Sequence, residues 1–479
     1  MNYRMISYLL GVVLLLCSAL MLLPLLVAFV FRENPLPFVY TVLIGGATGF
    51  LLMRLKPRDT RIYSKDGFVT VALSWITLSL FGALPLVFSG AVPNYIDAFF
   101  ETVSGFTTTG ATIISNVELI DKSVNFWRCL THWIGGMGVL VFMLAVMPST
   151  GGQAIHLMRA EVPGTNKGKL VPKMRKSALI LYGIYVFLTL FEVIALLISG
   201  LSLYDSVVVS LSTAGTGGFG VLSDSILGYA NPVAEWIIAV FMLVFGVNFN
   251  LYFFVLLGSF RDFFKNEELR AYLLILTAAT AILTVSNIDA YGNFGDSIRS
   301  AFFHTTAIMS TTGFVTAEFT LWNSLAKTVI VLLMAIGACA GSTAGGFKIS
   351  RLIIAVKSGL RELRHTLRPN SVNTVRLDGV VVKDETVRAV GSYLFMYVAI
   401  ISVTTILLSL DGFSFETNFT VVLSSLNNVG PALGEIGAFG SVSSYSYFSK
   451  LVLCFNMLVG RLEILPMLIL FSPRTWKRG

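Results

Sequence analysis

Residues 95–112 read YIDAFFETVSGFTTTGAT, a short half-apolar stretch that ends in threonine and glycine. Its apolar part is too short to cross a membrane, which takes about 20 residues. Three later stretches between long apolar runs have the same character. They are LYDSVVVSLSTAGTGGFG (203–220), FGDSIRSAFFHTTAIMSTTGFVT (294–316) and FSFETNFTVVLSSLNNVGPALG (413–434). These four stretches decide the fold.

One glycine aligns the four stretches. The aligned residues are Gly110, Gly218, Gly313 and Gly430, separated by 108, 95 and 117 residues. A second glycine follows 24 to 30 residues later, at Gly135, Gly246, Gly337 and Gly460. This period exceeds those of the common solenoid repeats. It predicts four copies of a span, a short re-entrant helix, a glycine-bearing segment and a second span, preceded by an extra hairpin of two spans (5–54).

The glycine-bearing segments predict a cation site. Non-helical backbone at membrane depth must line a water-filled cavity or lie buried in protein. Glycine permits unusual dihedral angles and close approach, so four segments around one axis could offer carbonyl oxygens to a dehydrated cation. Each short helix also has an acid near its start and would aim its negative end at the ring. The alternative is tight outer loops or helix-packing sites, but four matching positions favour the cation site. The acids are Asp97, Asp205, Asp296 and Glu416.

The composition is that of a membrane protein. Of 479 residues, 55% are hydrophobic and 13% are charged, whereas soluble proteins are about 25% charged. A soluble enzyme, a disordered chain and a nucleic-acid binder are thereby excluded. Ten apolar runs predict spans near 5–31, 38–54, 67–90, 126–148, 178–200, 233–258, 270–287, 326–356, 389–410 and 447–472.

The basic residues predict the topology. Of the 34 Lys and Arg residues, 27 fall on one side of the membrane and six on the other, with Arg461 left inside the last span. The largest clusters are in segments 54–66, 155–177 and 348–388. Because basic loops stay in the cytoplasm, we expect both termini there, which agrees with an even number of spans.

Six motifs resemble those of a known family. They are SGFTTTGAT (104–112), TGGFG (216–220), STTGFVT (310–316), NNVGPALG (427–434), GACAGSTAGGFK (337–348) and VGRLE (459–463). The whole chain resembles the Trk/Ktr/HKT superfamily of cation transporters and, within it, the TrkH-like potassium uptake subunits. The resemblance implies an all-α polytopic protein of the inner membrane, with two leading spans and four span–pore-helix–span repeats in pseudo-fourfold symmetry around one pore.

The resemblance divides the chain into five parts. The two leading helices occupy 1–60, and repeats 1 and 2 occupy 61–154 and 155–260. Repeat 3, with an intramembrane gating loop, occupies 261–360, and repeat 4, with the cytoplasmic tail, occupies 361–479.

The resemblance also implies a potassium filter at and just before the aligned glycines. In the family a serine in place of the first glycine goes with sodium transport, so glycine in all four repeats favours potassium. The chain departs from the commoner pattern at Gly217 and at Asn428-Val429, which makes the fourth repeat the most divergent. The implied filter residues are Thr108, Thr109, Gly110, Thr216, Gly217, Gly218, Thr311, Thr312, Gly313, Asn428, Val429 and Gly430.

Two features below the filter are implied to restrain ion flow. A glycine-rich stretch of repeat 3 resembles the family's gating loop, although a flexible kink would explain the same glycines. Arg461 matches the family's arginine in the permeation path, and the alternative is a structural arginine paired with Glu463 or another buried acid. The implied loop residues are Gly337, Gly341, Ser342, Thr343, Ala344, Gly345, Gly346 and Lys348.

The implied partners are a second copy of the chain in a homodimer, a separately encoded cytoplasmic nucleotide-binding subunit of the TrkA type, and membrane lipid, with no nucleic acid. The basic stretch 357–376 could dock that subunit, bind anionic lipid headgroups or only set the topology. Potassium is the transported ion, no covalent cofactor is expected, and a nucleotide would act only through the partner. His132 and His304 could carry protons, but lone histidines more often pack or form hydrogen bonds.

Two other functions stay open at this point. The potassium-binding subunit of a P-type pumping complex shares the repeat but requires an ATPase partner. A polytopic membrane enzyme would need acid/base or metal residues facing a membrane surface, and four scattered histidines without a His/Asp cluster count against it. The residues also leave open whether transport is passive or coupled to protons or sodium.

Overall fold

The computed structural model describes residues 1–55, 64–138, 174–256, 258–370 and 373–476. The predicted divisions at 60/61 and 154/155 lie outside these residues, as do most of basic segment 155–177 and the bases Lys477 and Arg478. The second half of the predicted span 126–148 also lies outside them.

Two packed spans come first. The consecutive helices α1 (Tyr3–Leu20) and α2 (Leu22–Phe31) form one, and α3 (Leu36–Met53) forms the other. α1 and α3 pack where Gly11 meets Gly49, since a Cβ on Gly11 would lie 2.6 Å from the Gly49 carbonyl oxygen. Small residues permit this approach of two helix backbones in a membrane.

Four repeats follow. Repeat 1 contains α4 (Ser64–Gly82), α5 (Leu84–Phe88), α6 (Tyr95–Phe106) and α7 (Lys122–Gly136). Repeat 2 contains α8 (Met174–Ile198), α9 (Leu203–Gly215), α10 (Pro232–Phe245) and α11 (Phe249–Leu256), and α12 (Phe260–Lys265) leads onward. Repeat 3 contains α13 (Glu267–Tyr291), α14 (Phe294–Met309), α15 (Ser324–Ile336) and α16 (Ile349–Leu367). The antiparallel strands β1 (Arg376–Leu377) and β2 (Val380–Val381) precede repeat 4, which contains α17 (Asp384–Leu408), α18 (Phe415–Asn427), α19 (Tyr447–Leu462), α20 (Ile464–Phe471) and α21 (Pro473–Trp476).

Six helical stretches of the described residues are long and apolar enough to cross a membrane, and α10 with α11 makes a seventh if the bent pair counts as one span. In the apolar window of α17 only 22% of the residues are buried. Its exposed side chains include Phe395, Val398 and Ile406. A large exposed apolar surface of this kind suits contact with lipid. The six are α1–α2, α3, α4–α5, α8, α13 and α17.

The helices α6, α9, α14 and α18 are the short helices that the sequence predicted, here called half-helices 1 to 4. Each begins at an Asn or Ser side chain that accepts a backbone N–H of the first turn, which satisfies a donor left free by the helix. Each also has one acid in that turn, where the helix dipole is positive. The capping residues are Asn94, Ser202, Asn293 and Ser414.

In repeats 2, 3 and 4 the helix that reaches the second glycine is shorter than the predicted span. The continuous spans expected at 233–258, 326–356 and 447–472 are wrong, because α10, α15 and α19 end within two residues of the second glycine. α10 and α11 meet at 92°. At the second break Gly337 has a φ of 70°, which a side chain would strain. Apolar composition predicted that these residues lie in the membrane but could not reveal where the helices break.

Candidate functional site

Each half-helix ends in the same unusual turn. One residue just past its C-terminal end has a φ of 55–58°, although none of the four is glycine. A positive φ is uncommon outside glycine. Its recurrence at the equivalent position of all four repeats shows that the repeats share this backbone turn. The four residues are Thr108, Thr216, Thr311 and Asn428. Each begins a three-residue stretch, and we call 108–110, 216–218, 311–313 and 428–430 ring segments 1 to 4.

The third residue of each ring segment is one of the four aligned glycines, with a φ between 73° and 102°. Each glycine stands against the carbonyl oxygen of the middle residue of the next segment, too close to allow a side chain. Measured from a Cβ added to the glycine, the contacts are Gly110 to Gly217 (2.0 Å), Gly218 to Thr312 (2.2 Å), Gly313 to Val429 (1.9 Å) and Gly430 to Thr109 (2.7 Å).

These contacts close a ring. Segment 1 touches segment 2, segment 2 touches segment 3, segment 3 touches segment 4, and segment 4 returns to segment 1. All four glycines also line a single depression together with the loops that follow them. The structure thus brings together the twelve residues assigned to a filter by resemblance. The divergent fourth segment has the same backbone turn as the other three.

Side chains connect the ring segments as well. The Thr109 hydroxyl lies 2.9 Å from that of Thr107 and accepts a hydrogen bond of 2.9 Å from the Asn428 amide. The hydroxyls of Ser310 and Thr312 lie 2.8 Å apart. Asn428, one of the departures from the family pattern, therefore links segment 4 to segment 1.

The loops beyond the ring are joined in the same cyclic order, repeat to repeat. Each junction includes a backbone N–H of one loop that donates to an oxygen of the neighbouring loop. The bonds are Ser223 N to Glu118 Oε1 (2.8 Å), Val315 N to Ser225 Oγ (3.2 Å), Ala438 N to Glu318 Oε1 (3.0 Å) and Val442 N to Thr112 O (3.0 Å). The ring is thus held from its loop side as well as by its own contacts.

Sequence reasoning missed a buried ion pair behind ring segment 1. Arg128 donates to Glu101 Oε1 from Nε at 2.8 Å and from Nη2 at 2.6 Å. It also donates to the hydroxyl of Thr112, two residues after Gly110, at 3.2 Å. The available signal was the position of Arg128 inside a predicted span, since a charge at membrane depth is costly unless it is paired.

Residues 337–348 lie against the C-terminal ends of half-helices 3 and 4. The Gly345 N–H donates to the Thr311 hydroxyl at 2.7 Å, and a Cβ on Gly345 would lie 2.2 Å from the Asn427 carbonyl oxygen. The two ends of the loop also touch, because a Cβ on Gly337 would lie 2.8 Å from the Gly346 Cα. Residues 338–345 therefore leave the helix axis and return to the same point.

The flanks of this loop are anchored to neighbouring helices. Glu268 at the start of α13 accepts from Ala340 N at 2.7 Å and from Ser350 N at 3.1 Å. Cys339 N donates to Gly246 O at 3.2 Å, at the break between α10 and α11. Within the loop the buried ammonium of Lys348 donates to Ala344 O. The role of Glu268 had no signal in the sequence beyond an acid at the start of a span.

Arg461 joins the loop to repeat 1. Its guanidinium donates to Thr343 O at 2.6 Å and to the carbonyl oxygens of Gly135 and Gly136, each at 2.6 Å. Glu463, the acid named in the alternative interpretation, forms an ion pair with Arg351. Arg461 is thus placed between the loop and the C-terminal end of α7, and Glu463 would keep a partner without it.

Known proteins resemble this chain over its full length. The family described as TrkH, cation transport protein, matches residues 36–478. The Trk system potassium uptake protein TrkH of Salmonella typhimurium is 34% identical, and TrkG of Escherichia coli K12 is 31% identical, with 100% and 99% of both chains covered. The crystal structure of the potassium transporter TrkH from Vibrio parahaemolyticus superposes with a TM-score of 0.89 at 31% identity and covers 100% of both chains. This match confirms the predicted all-α polytopic membrane fold.

Proposed function

Because the chain belongs to the TrkH family of cation transport proteins, we propose that it takes up potassium along the axis of the four ring segments. Membership of that family makes the chain a transporter and not an enzyme, and a multi-pass protein of the cell membrane. The names of its relatives support potassium as the ion. By the positive-inside rule both termini lie in the cytoplasm.

The closed ring of glycine–carbonyl contacts carries this proposal. Each contact requires a backbone carbonyl at the ring, from Thr109, Gly217, Thr312 or Val429. Carbonyl oxygens around one axis can replace the hydration shell of a cation. The C-terminal ends of the half-helices, where the helix dipole is negative, also meet at the ring and favour a positive ion.

The loop of residues 337–348 would act as the gate. It lies against ring segment 3 through the Gly345 to Thr311 hydrogen bond, so an ion leaving the ring towards the cytoplasm meets it first. The loop is held by hydrogen bonds that can break one at a time, and its two ends already touch. These features support movement of the loop without rearrangement of α15 and α16.

Arg461 would add an electrostatic barrier at the same level. Its guanidinium touches loop residue Thr343 and the end of α7. A fixed positive charge below a cation filter opposes passage of the ion, and two unit charges 4 Å apart repel by about 4 kcal/mol at an effective dielectric constant of about 20. Water in the permeation path would reduce this value.

The protein would work as a homodimer with a cytoplasmic nucleotide-binding subunit of the TrkA type. The basic residues at the end of α16 would offer the cytoplasmic face for that subunit, since Arg364 in the last turn and Arg368 just after the helix are exposed. A nucleotide would then bias the loop only through the partner. Purification of the native complex would separate this arrangement from the pumping complex, which would carry an ATPase.

Ion flux into proteoliposomes tests the proposal. The purified chain is reconstituted, and uptake of potassium, rubidium, sodium and lithium is measured with and without a pH gradient. We expect potassium and rubidium to enter faster than sodium and lithium, because the ring replaces the hydration shell of the larger ions more fully. Equal rates for all four ions would refute a potassium filter, and the pH gradient would show whether protons are coupled.

A further inference from the structure

We propose that three half-helix side chains, Glu101, His304 and Thr420, position the ring segments and thereby set the ion selectivity. The inference rests on the proposed function, since it concerns the same ring. Each of the three accepts a hydrogen bond from the backbone N–H three residues after the ring glycine of its own repeat. The bonds are Ile113 N to Glu101 Oε2 (2.9 Å), Thr316 N to His304 Nε2 (3.4 Å) and Leu433 N to Thr420 Oγ1 (3.0 Å).

All three acceptors are held in place by a second partner. Arg128 donates to the other oxygen of Glu101 and so fixes the orientation of its carboxyl group. His304 Nδ1 lies 2.8 Å from the Ser300 carbonyl oxygen, which can only accept, so Nδ1 carries the proton and Nε2 is left as an acceptor. The Thr420 hydroxyl donates its hydrogen to Glu416 O at 2.8 Å, which leaves its lone pairs for Leu433.

Burial gives these bonds their importance. The exposed fractions of Glu101, His304 and Thr420 are 1%, 0% and 2%, so no water can replace a lost acceptor. A buried N–H without a partner costs about 1–3 kcal/mol. The segment would then turn until the N–H found another acceptor, and the carbonyls of the ring would turn with it.

Repeat 2 is built differently. Glu101 and His304 both stand nine residues before their ring glycine, and the residue at that position in repeat 2 is Val209, which cannot accept a hydrogen bond. There His132, from α7 of repeat 1, accepts from Phe219 N at 3.3 Å. The two histidines therefore serve as hydrogen-bond acceptors behind the ring, and segment 2 depends on a neighbouring repeat.

The connection to selectivity is geometric. Discrimination between potassium and sodium depends on how the carbonyls surround the ion. The glycine contacts fix the distance between neighbouring segments, whereas the half-helix acceptors fix the rotation of ring segments 1, 3 and 4 about their own axes. Loss of an acceptor should therefore reduce selectivity while the ring, and conduction through it, persists.

Thr420→Val tests this with a matched control. Valine keeps the shape of threonine and removes only the hydroxyl. Thr404 on α17 is also buried, and its hydroxyl also donates to the carbonyl four residues earlier, Ile400 O at 2.7 Å. No hydrogen bond to Thr404 from a ring segment is found among the described residues, so Thr404→Val is the control. We expect Thr420→Val to lower the potassium-to-sodium flux ratio about fivefold, the effect of about one hydrogen bond, and Thr404→Val to leave it unchanged.

Restoring the acceptor should restore selectivity. Thr420→Ser keeps a hydroxyl and should return the ratio to within about twofold of the original protein. His304→Leu should lower the ratio and His304→Gln, whose amide oxygen can accept, should lower it less. If His304→Leu fails to fold, the comparison of Thr420→Val with Thr404→Val still tests the positioning role.

The outcomes separate the two proposals. If the unaltered protein shows no preference for potassium, the proposed function fails. If the unaltered protein prefers potassium and Thr420→Val has the same flux ratio as Thr404→Val, the positioning role is refuted and the filter stands. A fall in the ratio with Thr420→Val that Thr420→Ser reverses would support the inference, because a general loss of stability would reduce the amount of folded protein and not the ratio.

Discussion

The ring segments and the loop of residues 337–348 touch at Thr311, yet they are held in place by different means. The ring depends on backbone contacts so close that no side chain fits, with 2.0 Å between a Cβ on Gly110 and the Gly217 carbonyl oxygen. The loop has such a contact at Gly345, against the Asn427 carbonyl oxygen, but it is attached to its neighbours mainly by separate hydrogen bonds, such as Gly345 to Thr311 and Arg461 to Thr343. Steric contacts allow one arrangement, whereas hydrogen bonds can be exchanged. The proposed filter can therefore be rigid and the proposed gate movable, although the two are neighbours in one chain.

The largest effect is expected in the ring. Gly110→Ser should admit sodium and lower the potassium-to-sodium flux ratio about a hundredfold, or about 3 kcal/mol, because the added side chain displaces the Gly217 carbonyl from the ring. Gly90→Ser is the matched control: it puts a side chain at a φ of 77°, close to the 81° of Gly110, but with open space around it. Flux of both ions into proteoliposomes gives the ratio. An unchanged ratio in Gly110→Ser would mean that the ring is not the filter.

Removal of the loop should have the next largest effect. It should change the rate of potassium flux and leave the potassium-to-sodium flux ratio unchanged. Deletion of residues 338–345 joins two ends that already touch and should raise potassium flux without any partner by about thirty- to a hundredfold, because several hydrogen bonds of about 1 kcal/mol each no longer hold a plug. Among the described residues the Ser342 hydroxyl donates only to Cys339 O, inside the loop, so Ser342→Ala serves as the control. Basal flux at the original level in a folded deletion variant would contradict the gate.

Arg461→Ala should raise flux by a smaller factor. We expect about ten- to thirtyfold at unchanged selectivity, since about 1–2 kcal/mol of repulsion is removed, and Glu463 keeps its partner Arg351. The exposed Arg364→Ala on α16 is the control for a lost charge. Flux is measured per folded protein after size exclusion.

Arg461→Lys distinguishes charge from contact. Lysine keeps the charge but cannot reproduce the three hydrogen bonds of the guanidinium to Thr343, Gly135 and Gly136. If the charge is the barrier, this variant conducts at nearly the original rate. A lysine variant as fast as the alanine variant would show that Arg461 acts by holding the loop.

The smallest effect is expected at the loop junction between repeats 1 and 2. Hydrogen bonds from Ser223 outweigh the effect of burial and lower the pKa of Glu118. A lowered pKa means that the carboxylate stabilises the fold at neutral pH and that this stabilisation is lost as the pH falls through the lowered value. Glu118→Gln should therefore cost at most about 1 kcal/mol at pH 7, because the site is exposed. Thermal unfolding of the original protein and of Glu118→Gln in detergent measures the difference in their stability. We expect this difference to become smaller as the pH is lowered. A difference that does not change with pH would show that the charge of Glu118 does not stabilise the fold.

The sequence predicted the parts of this site that repeat and missed the parts that do not. Glycine at Gly110, Gly218, Gly313 and Gly430 is required by geometry in every repeat, so alignment alone revealed it. The acceptors behind the ring are a glutamate, a histidine and a threonine in different repeats. Any of the three can accept a hydrogen bond, so their common role leaves no common residue to recognise.

The helix breaks also show which features the sequence could not predict. Gly246 and Gly337 were aligned correctly, but one precedes a bend of 92° and the other a loop that returns to its starting point. A glycine permits a break without specifying its form. The partners that decide the form, such as Glu268 for the loop, lie far along the chain and carry no local signal.

The contact between ring segments 4 and 1 has a consequence for the synthesis of the protein. Asn428 bonds Thr109 across 319 positions of the chain, and synthesis delivers the N-terminal segments first. Until the fourth segment leaves the ribosome, one quarter of the circumference is absent, and no passage of defined width exists. An interrupted chain therefore cannot close the ring, so the proposed filter is complete only when nearly every residue has been translated.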